Sequence, residues 1–397
     1  MTINSPRARD LGIELRGLPG PLNAITDVGG VEVGYATLIS GDGELAVGDG
    51  PVRTGVTAIL PRGRDGVGRP CAAARFSLNG NGEMTGSAWI DEVGELSLPI
   101  TISNTHAIGA CHTGVIEWMN ATHPRQARQW LLPVCAETWD GYLNDINGGH
   151  VTPAVARQAL DAAHSGALEE GSVGGGTGMN CYGFKGGNGT ASRLVPFGDT
   201  TFTVGVFLQA NFGSRGELTI TGTPVGQLAD VENPMENTGW MEQDLHAPGG
   251  AGSVIVVVAT DAPLSPAQCR GLARRVPLGL ARTGTTGSLF SGDLFLAFST
   301  ANEGPSGTGF PTGEPSSDEI HTTRCLPWNR IDAFYAATVY AVEEAVLNAL
   351  LVNETMTGRD SHRSPALPHD VVRTLLGIGE NELVQRRELD QESTARQ

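Results

Sequence analysis

The stretch His246-Ala-Pro-Gly-Gly-Ala-Gly-Ser253-Val-Ile-Val-Val-Val-Ala259 joins a glycine-rich segment to an apolar run. The small and turn-forming residues at 247–252 let the backbone bend tightly, which exposes the carbonyl group of Gly252. The run after Ser253 is rich in valine and isoleucine and predicts a strand buried on both faces. Ser253 therefore places a hydroxyl group at the mouth of a buried strand.

A cut between Gly252 and Ser253 would give Ser253 a free α-amine, whose ordinary pKa is about 7.7–8.0. One residue would then carry both a nucleophile and a base, as in N-terminal-nucleophile hydrolases. The alternative is a flexible linker before a core strand, because serines beside glycine-rich turns are common. Taken alone, the segment favours the linker.

The composition of the chain excludes several classes of protein. Its 397 residues are 40% hydrophobic and 17% charged, which indicates one large or two moderate globular domains. The formal net charge of −17 argues against nucleic acid or an anionic membrane surface as a partner. The N-terminus lacks the apolar segment of a secretory signal, and we see no apolar run long enough to span a bilayer, so we expect a cytoplasmic protein.

The cysteines and histidines do not form a metal-binding pattern. The six cysteines have no C-x-x-C spacing and predict reduced core thiols: Cys71, Cys111, Cys135, Cys181, Cys269 and Cys325. The histidines include no H-E-x-x-H motif, so we expect no metal. A glycine cluster at 171–190 lacks a complete nucleotide-binding motif and indicates a structural or channel-lining loop. The absence of a G-x-S-x-G elbow argues against an α/β hydrolase with a Ser-His-Asp triad.

Strand-like and helix-like segments are interspersed along the chain. The predicted strands are 31–35, 56–60, 98–102, 202–210, 217–221, 254–259 and 293–299. The predicted helices are 105–120, 151–167, 265–275 and 332–353. Residues 1–20 predict a poorly ordered arm, and the charged tail beyond about residue 377 predicts a mobile one. Helices between groups of strands predict a layered α/β fold with both sheet faces covered.

Polar residues at predicted strand ends are candidates for a reactive site. Glu137 follows an apolar run, and its carboxylate could bind a substrate ammonium. Asn211 ends another strand, where its amide could donate to a developing oxyanion. Ser291 and Asp293 alternate at a strand start and share a face, so together they could orient an α-amine and a hydroxyl. Ordinary turn residues are the alternative at each position.

Four further polar residues in the stretch after Glu137 are better interpreted as turn caps: Asp140, Asn144, Asp145 and Asn147.

Seven stretches, taken in order, carry a resemblance to a known family. They are Asn79-Gly-Asn-Gly-Glu-Met-Thr-Gly86, Thr101-Ile-Ser-Asn-Thr-His-Ala-Ile-Gly109, Glu137-Thr-Trp-Asp-Gly141 with Leu143-Asn-Asp-Ile-Asn-Gly148, Gln209-Ala-Asn-Phe-Gly-Ser-Arg215, Gly250-Ala-Gly-Ser253, Ser291-Gly-Asp293, and Glu354-Thr-Met-Thr-Gly-Arg-Asp360 with Pro365-Ala-Leu-Pro368. Together they closely resemble the L-aminopeptidase/D-Ala-esterase/amidase family, which is DmpA-like and includes the β-peptidyl aminopeptidases. The resemblance runs from about residue 10 to about residue 375, and it makes the linker interpretation of Ser253 a poor one.

The resemblance implies a fold and a processing event. The fold is a four-layer α/β/β/α sandwich of the DmpA and ornithine acetyltransferase type, similar to N-terminal-nucleophile hydrolases. The precursor would cleave itself between Gly252 and Ser253 into an α chain, residues 1–252, and a β chain, residues 253–397. The two chains would remain one structural domain, in a homotetramer of α/β heterodimers, without a cofactor.

The resemblance also implies roles for individual residues. By position, Ser253 matches the nucleophile and Asn211 the oxyanion-hole amide. Ser291 and Asp293 match the serine and acidic residue that support the nucleophile. Glu137 matches the acidic residue near the amino terminus of the substrate.

Trp139 departs from the family pattern, because the members compared carry tyrosine at this position. An indole group offers an N–H donor but cannot usefully exchange a proton, so Trp139 is expected to contribute to substrate binding. Tyr142, three residues further on, is a candidate replacement for the missing phenol. The departure bears on rate and substrate range more than on reaction class.

These observations predict a self-processed serine aminopeptidase that acts on short peptides, amides or esters with a small, free N-terminal residue. One alternative is an acyltransferase of the ornithine acetyltransferase type, although those enzymes use threonine where this chain has Ser253. The other is a peptide-binding homologue whose catalysis has weakened.

Overall fold

The computed structural model describes residues 5–236, 252–302, 310–311, 313–320 and 322–379. Its strands are β1 (Glu32–Ser40), β2 (Val52–Leu60), β3 (Cys71–Ser77), β4 (Glu95–Leu96), β5 (Ile100–Asn104), β6 (Val134–Thr138), β7 (Asn180–Cys181), β8 (Phe184–Lys185), β9 (Gly187–Phe197), β10 (Thr200–Asn211), β11 (Gly252–Thr260), β12 (Ser291–Ser299), β13 (Met356–Thr357) and β14 (Arg363–Ser364). Its α-helices are α1 (Ser87–Val93), α2 (Ile108–Thr122), α3 (Pro153–Asp161), α4 (Val225–Leu228), α5 (Pro266–Ala273), α6 (Val276–Ala281), α7 (Asp332–Leu351) and α8 (His369–Leu376).

Two sheets form the centre of the molecule. One has four strands in the order β1-β2-β5-β6, and the other has six in the order β4-β3-β12-β11-β10-β9. Most neighbouring strands are antiparallel, but β5 runs parallel to β6 and β11 runs parallel to β12. The strand that begins at Gly252 therefore lies inside the six-stranded sheet, with β10 on one side and β12 on the other.

Three apolar cores separate four layers. Helices α2 and α3 pack on the outer face of the four-stranded sheet around Trp118. The inner faces of the two sheets meet through residues such as Ile102 and Phe207. Helices α5, α6 and α7 cover the outer face of the six-stranded sheet around Phe295. This α/β/β/α arrangement confirms the predicted fold class.

Strand β11 is buried on both faces, as its composition predicts. Val254, Val256 and Val258 pack into the core beneath the helices, whereas Ile255 and Val257 pack into the core between the sheets. Full burial of a side chain of this size stabilises a fold by roughly 1.5–3 kcal/mol. The run therefore anchors Ser253, which directly precedes it, in the middle of the molecule.

Two predictions about local order are wrong. Residues 217–221 do not form a strand; Arg215–Glu217 is instead a 3-10 turn closed by reciprocal hydrogen bonds between Ser214 and Glu217. The described part of the N-terminal arm is packed rather than loose, because Leu11 and Ile13 lie in the core beneath the helices. Of the predicted mobile tail, residues 380–397 lie outside the described residues. Helix α8 ends at Leu376 and is capped by Gly377, which has the left-handed conformation that favours glycine.

Helix α7 is long and apolar enough to cross a membrane by length and composition, which the sequence analysis did not anticipate. In the structure, 78% of its most apolar window is buried inside the protein. It packs against β9 and β10 as the central helix of the outer layer. Burial of this kind is typical of a core helix.

Candidate active site

Three adjacent strands bring the predicted nucleophile and its supporting residues together. Ser253 pairs with Asn211 of β10 and with Gly292 of β12, and Gly252 pairs with Ser291. Directly paired residues on antiparallel strands carry their side chains on the same face, about 5 Å apart at Cβ, so Asn211 lies beside Ser253. Ser253 is 2% exposed, so its hydroxyl is held in the protein interior.

The hydroxyl of Ser253 contacts the other sheet. Its Oγ accepts a hydrogen bond from the backbone N–H of Trp139, at 3.2 Å. Trp139 directly follows β6, so Ser253 bridges the ends of the two sheets. The indole ring lies against Gly141, where a Cβ atom would come within 2.5 Å of it. Trp139 thus reaches the Ser253 hydroxyl through its main chain.

Tyr142, the candidate replacement for the family's tyrosine, belongs to a different contact. It is buried, and its ring stacks on His362 with 4.6 Å between ring centroids. Burial is the main cause that raises the pKa of its phenol, followed by the charge of Glu232, while a hydrogen bond with the backbone of Arg363 opposes the shift.

Asn211 has a defined amide orientation. Its Oδ1 accepts a hydrogen bond from the backbone N–H of Asn180, at 2.9 Å. Because the oxygen is occupied in this way, the NH₂ group is the part of the side chain that can donate to a substrate. The structure therefore supplies the polarity that an oxyanion donor needs.

Ser291 and Asp293, which the sequence predicts to support the nucleophile, are hydrogen-bonded to each other. The hydroxyl of Ser291 donates to Oδ1 of Asp293 at 2.5 Å, and both residues are buried. Asn79 clamps the same carboxyl group: its Nδ2 donates to Oδ2 of Asp293 at 2.9 Å, and its Oδ1 accepts from the Asp293 N–H at 2.6 Å. Asn79 lies in one of the resembling stretches, but the sequence analysis did not single it out.

Burial raises the pKa of the Asp293 carboxyl above its usual 3.8, although hydrogen bonds from Ser291, Asn79 and the backbone of Val254 oppose the shift. Val254 follows Ser253 in the chain and pairs with Asp293. The carboxyl group therefore lies next to the backbone that leads from Ser253.

Glu137 lies in β6 and is 2% exposed. Its Oε1 accepts from the backbone N–H of Glu83 at 3.0 Å, and its Oε2 accepts from the hydroxyl of Thr105. Burial is the main cause that raises the pKa of Glu137, and these two hydrogen bonds oppose it. A Cβ atom on Gly82 would lie 3.2 Å from Oε1 of Glu137 and 3.0 Å from the Cα of Gly292, so the turn that contains Gly82 closes over both.

Gly252 fits its position because it lacks a side chain. A Cβ atom there would lie 2.0 Å from the backbone oxygen of Asn211, closer than any real contact of this kind. The residue before the proposed cut is therefore restricted to glycine by its neighbour on β10. Residues 237–251, which precede it in the chain, lie outside the described residues.

Three of the four residues interpreted as turn caps, Asp140, Asn144 and Asp145, hold loops together. Asn144 donates from Nδ2 to Oδ1 of Asp140 at 3.1 Å, and Asp145 accepts from the Gly48 N–H at 2.8 Å. Asp140 is completely buried, and burial is the main cause that raises its pKa to about 7. Such complete burial is unusual for a carboxyl group that only caps a turn.

Within the part of the chain that the structure describes, no group of three histidine, cysteine or carboxylate side chains is arranged to hold a metal ion. All six cysteines are free, and five are buried. Cys325 is exposed and does not fit the prediction of core thiols.

Comparison with known proteins places these features in a family. The model of peptidase family S58 matches residues 23–364. Beta-peptidyl aminopeptidase BapA of Sphingosinicella microcystinivorans is 45% identical over 374 residues, which cover 94% of this chain and 92% of the relative. The protein of the same name from Sphingosinicella xenopeptidilytica is 44% identical over 381 residues, with the same coverage.

Solved structures give the same result. The L-aminopeptidase D-Ala-esterase/amidase of Ochrobactrum anthropi, described as a prototype for the serine aminopeptidases and a new variant of the Ntn hydrolase fold, matches with a TM-score of 0.84. It is 44% identical, and the match covers 94% of this chain and 98% of that one. A Burkholderia sp. beta-aminopeptidase matches with a TM-score of 0.83 and 40% identity, covering 94% and 99%.

Proposed function

This chain belongs to peptidase family S58, and we propose that it is a self-processed serine aminopeptidase with Ser253 as its nucleophile. The observation that supports this proposal most strongly is the position of Ser253. It is a buried serine that follows a sterically required glycine. Asn211 is its partner on one neighbouring strand, and the other neighbouring strand carries the Ser291–Asp293 pair beside its backbone.

Self-cleavage comes first in the proposed mechanism. Oγ of Ser253 attacks the carbonyl carbon of Gly252, the C–N bond breaks, and the acyl group moves from nitrogen to oxygen. Water then hydrolyses this ester, which leaves a carboxylate on Gly252 and a free α-amine on Ser253. The products are residues 1–252 and residues 253–397.

Turnover uses the new α-amine as a base. It accepts the proton of the Ser253 hydroxyl as Oγ attacks the substrate carbonyl, and it returns the proton to the leaving group. The Asn211 NH₂ group donates to the oxyanion. Water then hydrolyses the acyl-enzyme. Because the Ser291 hydroxyl donates its hydrogen bond to Asp293, its oxygen remains available to accept a hydrogen bond from the α-amine.

Glu137 limits the reaction to the amino terminus. Its buried carboxylate pairs with the free ammonium group of a substrate and places the first amide or ester carbonyl at Ser253. The substrates are therefore short peptides, amides or esters with a small, free N-terminal residue. The relatives named as β-peptidyl aminopeptidases and as an L-aminopeptidase D-Ala-esterase/amidase extend the candidates to β-amino and D-configured residues.

The substrate clamp is tested with paired substrates. We expect a free-amine amide to be cleaved at least about 10–100-fold faster than its N-acetylated form, in kcat/KM, because one charged hydrogen bond is worth about 1.5–3 kcal/mol. The matched variant Glu137→Gln should lose most of this preference while retaining self-cleavage. Equal turnover of the two substrates by the wild-type enzyme would contradict the clamp.

The two alternatives predict different outcomes. An acyltransferase would transfer the acyl group to an added amine faster than to water, and neither the matched family nor the relatives above favour it. A binding homologue would cleave none of these substrates.

The homotetramer, the cytoplasmic location and the lack of nucleic-acid or membrane partners remain proposals. Large apolar side chains are exposed on the surface, among them Leu289, Ile320 and Trp328, which supports association between copies of the protein. The net charge of −17 supports the lack of nucleic-acid partners. Sedimentation equilibrium measures the assembly directly.

A further inference from the structure

Lys185 is an unusual residue in this chain. Lysine and arginine together number 26, and 25 of them are arginine, so Lys185 is the single lysine of the protein. It lies in β8 and is 0% exposed. Lysine is almost never fully buried without a specific partner. A fully buried lysine cannot contribute to solubility or to surface charge, so Lys185 must have another role.

The ammonium group of Lys185 contacts a backbone segment next to the active site. Its Nζ donates to the carbonyl oxygens of Met179 and Gly186, each at 2.7 Å. The Met179 carbonyl and the Asn180 N–H belong to the same peptide group. That N–H donates to Oδ1 of Asn211 at 2.9 Å. One continuous hydrogen-bonded chain thus runs from Lys185, through a single peptide, to the amide beside the nucleophile.

A cation at one end of such a chain changes the other end. Charge on Nζ polarises the Met179 carbonyl, which makes the Asn180 N–H a stronger donor. A stronger bond to Oδ1 of Asn211 fixes the side-chain amide in one orientation and polarises it in turn. The NH₂ group of Asn211 is then held in one orientation and is a stronger hydrogen-bond donor to an oxyanion.

Two titratable groups act on Lys185 from the elements around it. Burial lowers the pKa of Lys185 to about 7, while interactions with Cys181 of β7 and with Asp140 act in the opposite direction. Asp140 is itself buried and directly follows Trp139, whose N–H binds the Ser253 hydroxyl. An arginine would remain charged at this site, whereas lysine can exchange its proton near neutral pH.

We propose that Lys185 is a positioning residue for the oxyanion-binding amide, acting on Asn211 through the peptide that joins Met179 and Asn180. This inference rests on the proposed function, in which Asn211 stabilises the oxyanion. Lys185 itself does not touch the substrate.

A double-mutant cycle tests the coupling. The wild type, Lys185→Met, Asn211→Ala and the double variant are compared in kcat and KM, with rates expressed per cleaved chain from intact mass. We expect Lys185→Met to lower kcat about 10-fold with little change in KM, and Asn211→Ala to lower it about 10²–10³-fold. The double variant should be no slower than Asn211→Ala alone, because Lys185 acts only through that amide.

The outcomes separate the two proposals. An unchanged kcat in Lys185→Met, or losses that multiply in the double variant, would overturn the positioning role. An unchanged kcat in Asn211→Ala would instead overturn the oxyanion assignment and the proposed function with it. Arg193→Met, which removes another fully buried cation, is the matched control and should leave kcat per folded chain unchanged. Lys185→Gln replaces Lys185→Met in the cycle if the latter does not fold.

A measurement on the unmodified sequence gives an independent test. Isotopically labelled lysine yields one side-chain NMR signal, because the chain has one lysine. The signal should titrate well below the usual 10.5. The ratio of wild-type kcat to the kcat of Lys185→Met should fall above the same midpoint, because the ammonium group loses its charge; the ratio cancels the titration of the Ser253 α-amine, which both proteins share. A ratio that is constant through the titration of this signal would overturn the role of the charge.

Discussion

Two buried polar clusters adjoin the six-stranded sheet, and they are stabilised in opposite ways. In the first, the ion-pair cluster, Glu344 of α7 binds Arg193 of β9 at 2.6 Å and Arg9 of the N-terminal arm at 2.9 Å. Burial alone would raise the pKa of Glu344, but attraction to Arg193 and Arg9, together with their hydrogen bonds, outweighs burial and holds the pKa below its usual 4.5. Here opposite charges hold the arm, the sheet and the helix together.

In the second, the site cluster, Glu137 and Asp293 are equally buried, but their hydrogen bonds come from hydroxyl, amide and backbone N–H groups. Burial is the main cause that raises both pKa values. The comparison shows how one fold uses buried carboxyl groups for two purposes. Guanidinium partners fix the charge and serve stability, whereas neutral partners leave the charge able to respond to a ligand, which is typical of functional sites.

The ion-pair cluster gives the largest expected effect on stability. Arg193→Met leaves Glu344 buried with one guanidinium partner fewer, so the free energy of unfolding should fall by about 3–5 kcal/mol. Urea titration measures the loss. The double variant Arg193→Met/Glu344→Leu should recover part of it, because no buried carboxylate is left and Arg9, which loses its partner, is partly exposed to solvent. A loss below about 1 kcal/mol would show that the cluster is not a structural element.

The site cluster should respond mainly in rate. Asn79→Ala removes two hydrogen bonds to Asp293, and we expect kcat to fall about 10-fold, with an unfolding free energy lower by about 1–3 kcal/mol. The neighbouring variant Asn81→Ala is the matched control. The Asn81 side chain donates to the backbone oxygen of Phe290 and, within the described residues, makes no hydrogen bond to Asp293. Equal kcat values for the two variants would place Asn79 outside the catalytic support.

Lowering the pH should change activity, which depends on the site cluster, before it changes stability, which depends on the ion-pair cluster. The raised pKa values of Glu137 and Asp293 mean that these groups take up protons above their usual 4.5 and 3.8, and the α-amine of Ser253 is protonated below about 7.7–8.0. Activity should therefore fall as the pH drops below about 8.

Stability should persist over the same range. Protonation of a carboxyl whose folded-state pKa is raised favours the folded state. The contribution of Glu344, whose pKa is lowered, is present above its unfolded pKa and is lost only as the pH falls through the lower folded value. Tm and kcat/KM are measured on the same samples. Parallel losses of Tm and kcat/KM as the pH drops below about 8 would contradict the distinction between the clusters.

The smallest effect is expected at Trp139. Its backbone N–H, not its indole ring, donates to Ser253, so Trp139→Tyr should change kcat by less than about 3-fold, within about 0.6 kcal/mol of the barrier. Tyr142→Phe is measured beside it. A rise of more than about 10-fold in Trp139→Tyr would show that this chain lacks a catalytic phenol.

The sequence predicted most of this architecture but only part of the site. The valine-rich run identifies β11, and the resembling stretches identify Ser253 and Asn211, because those signals are local. The clamp between Asn79 and Asp293 joins residues 214 positions apart, so no local pattern reveals it. Lys185 lies in a glycine cluster whose short strands become informative only when they fold against β10.

The packed N-terminal arm was missed for a similar reason. Its few apolar residues have no period of their own, and its order depends on Arg9 reaching Glu344, 335 residues away. From the sequence alone, a short polar segment with such a distant partner cannot be distinguished from a disordered terminus. Tertiary ion pairs of this kind override local propensity.

Intact-mass analysis of the purified wild type beside Ser253→Ala, under denaturing conditions, tests the central claim most directly. The proposal predicts two wild-type fragments, residues 1–252 and residues 253–397, and a single uncut chain in Ser253→Ala. An uncut wild-type chain would mean that the α-amine base is never released, and a cut Ser253→Ala chain would show that Ser253 does not carry out its own release.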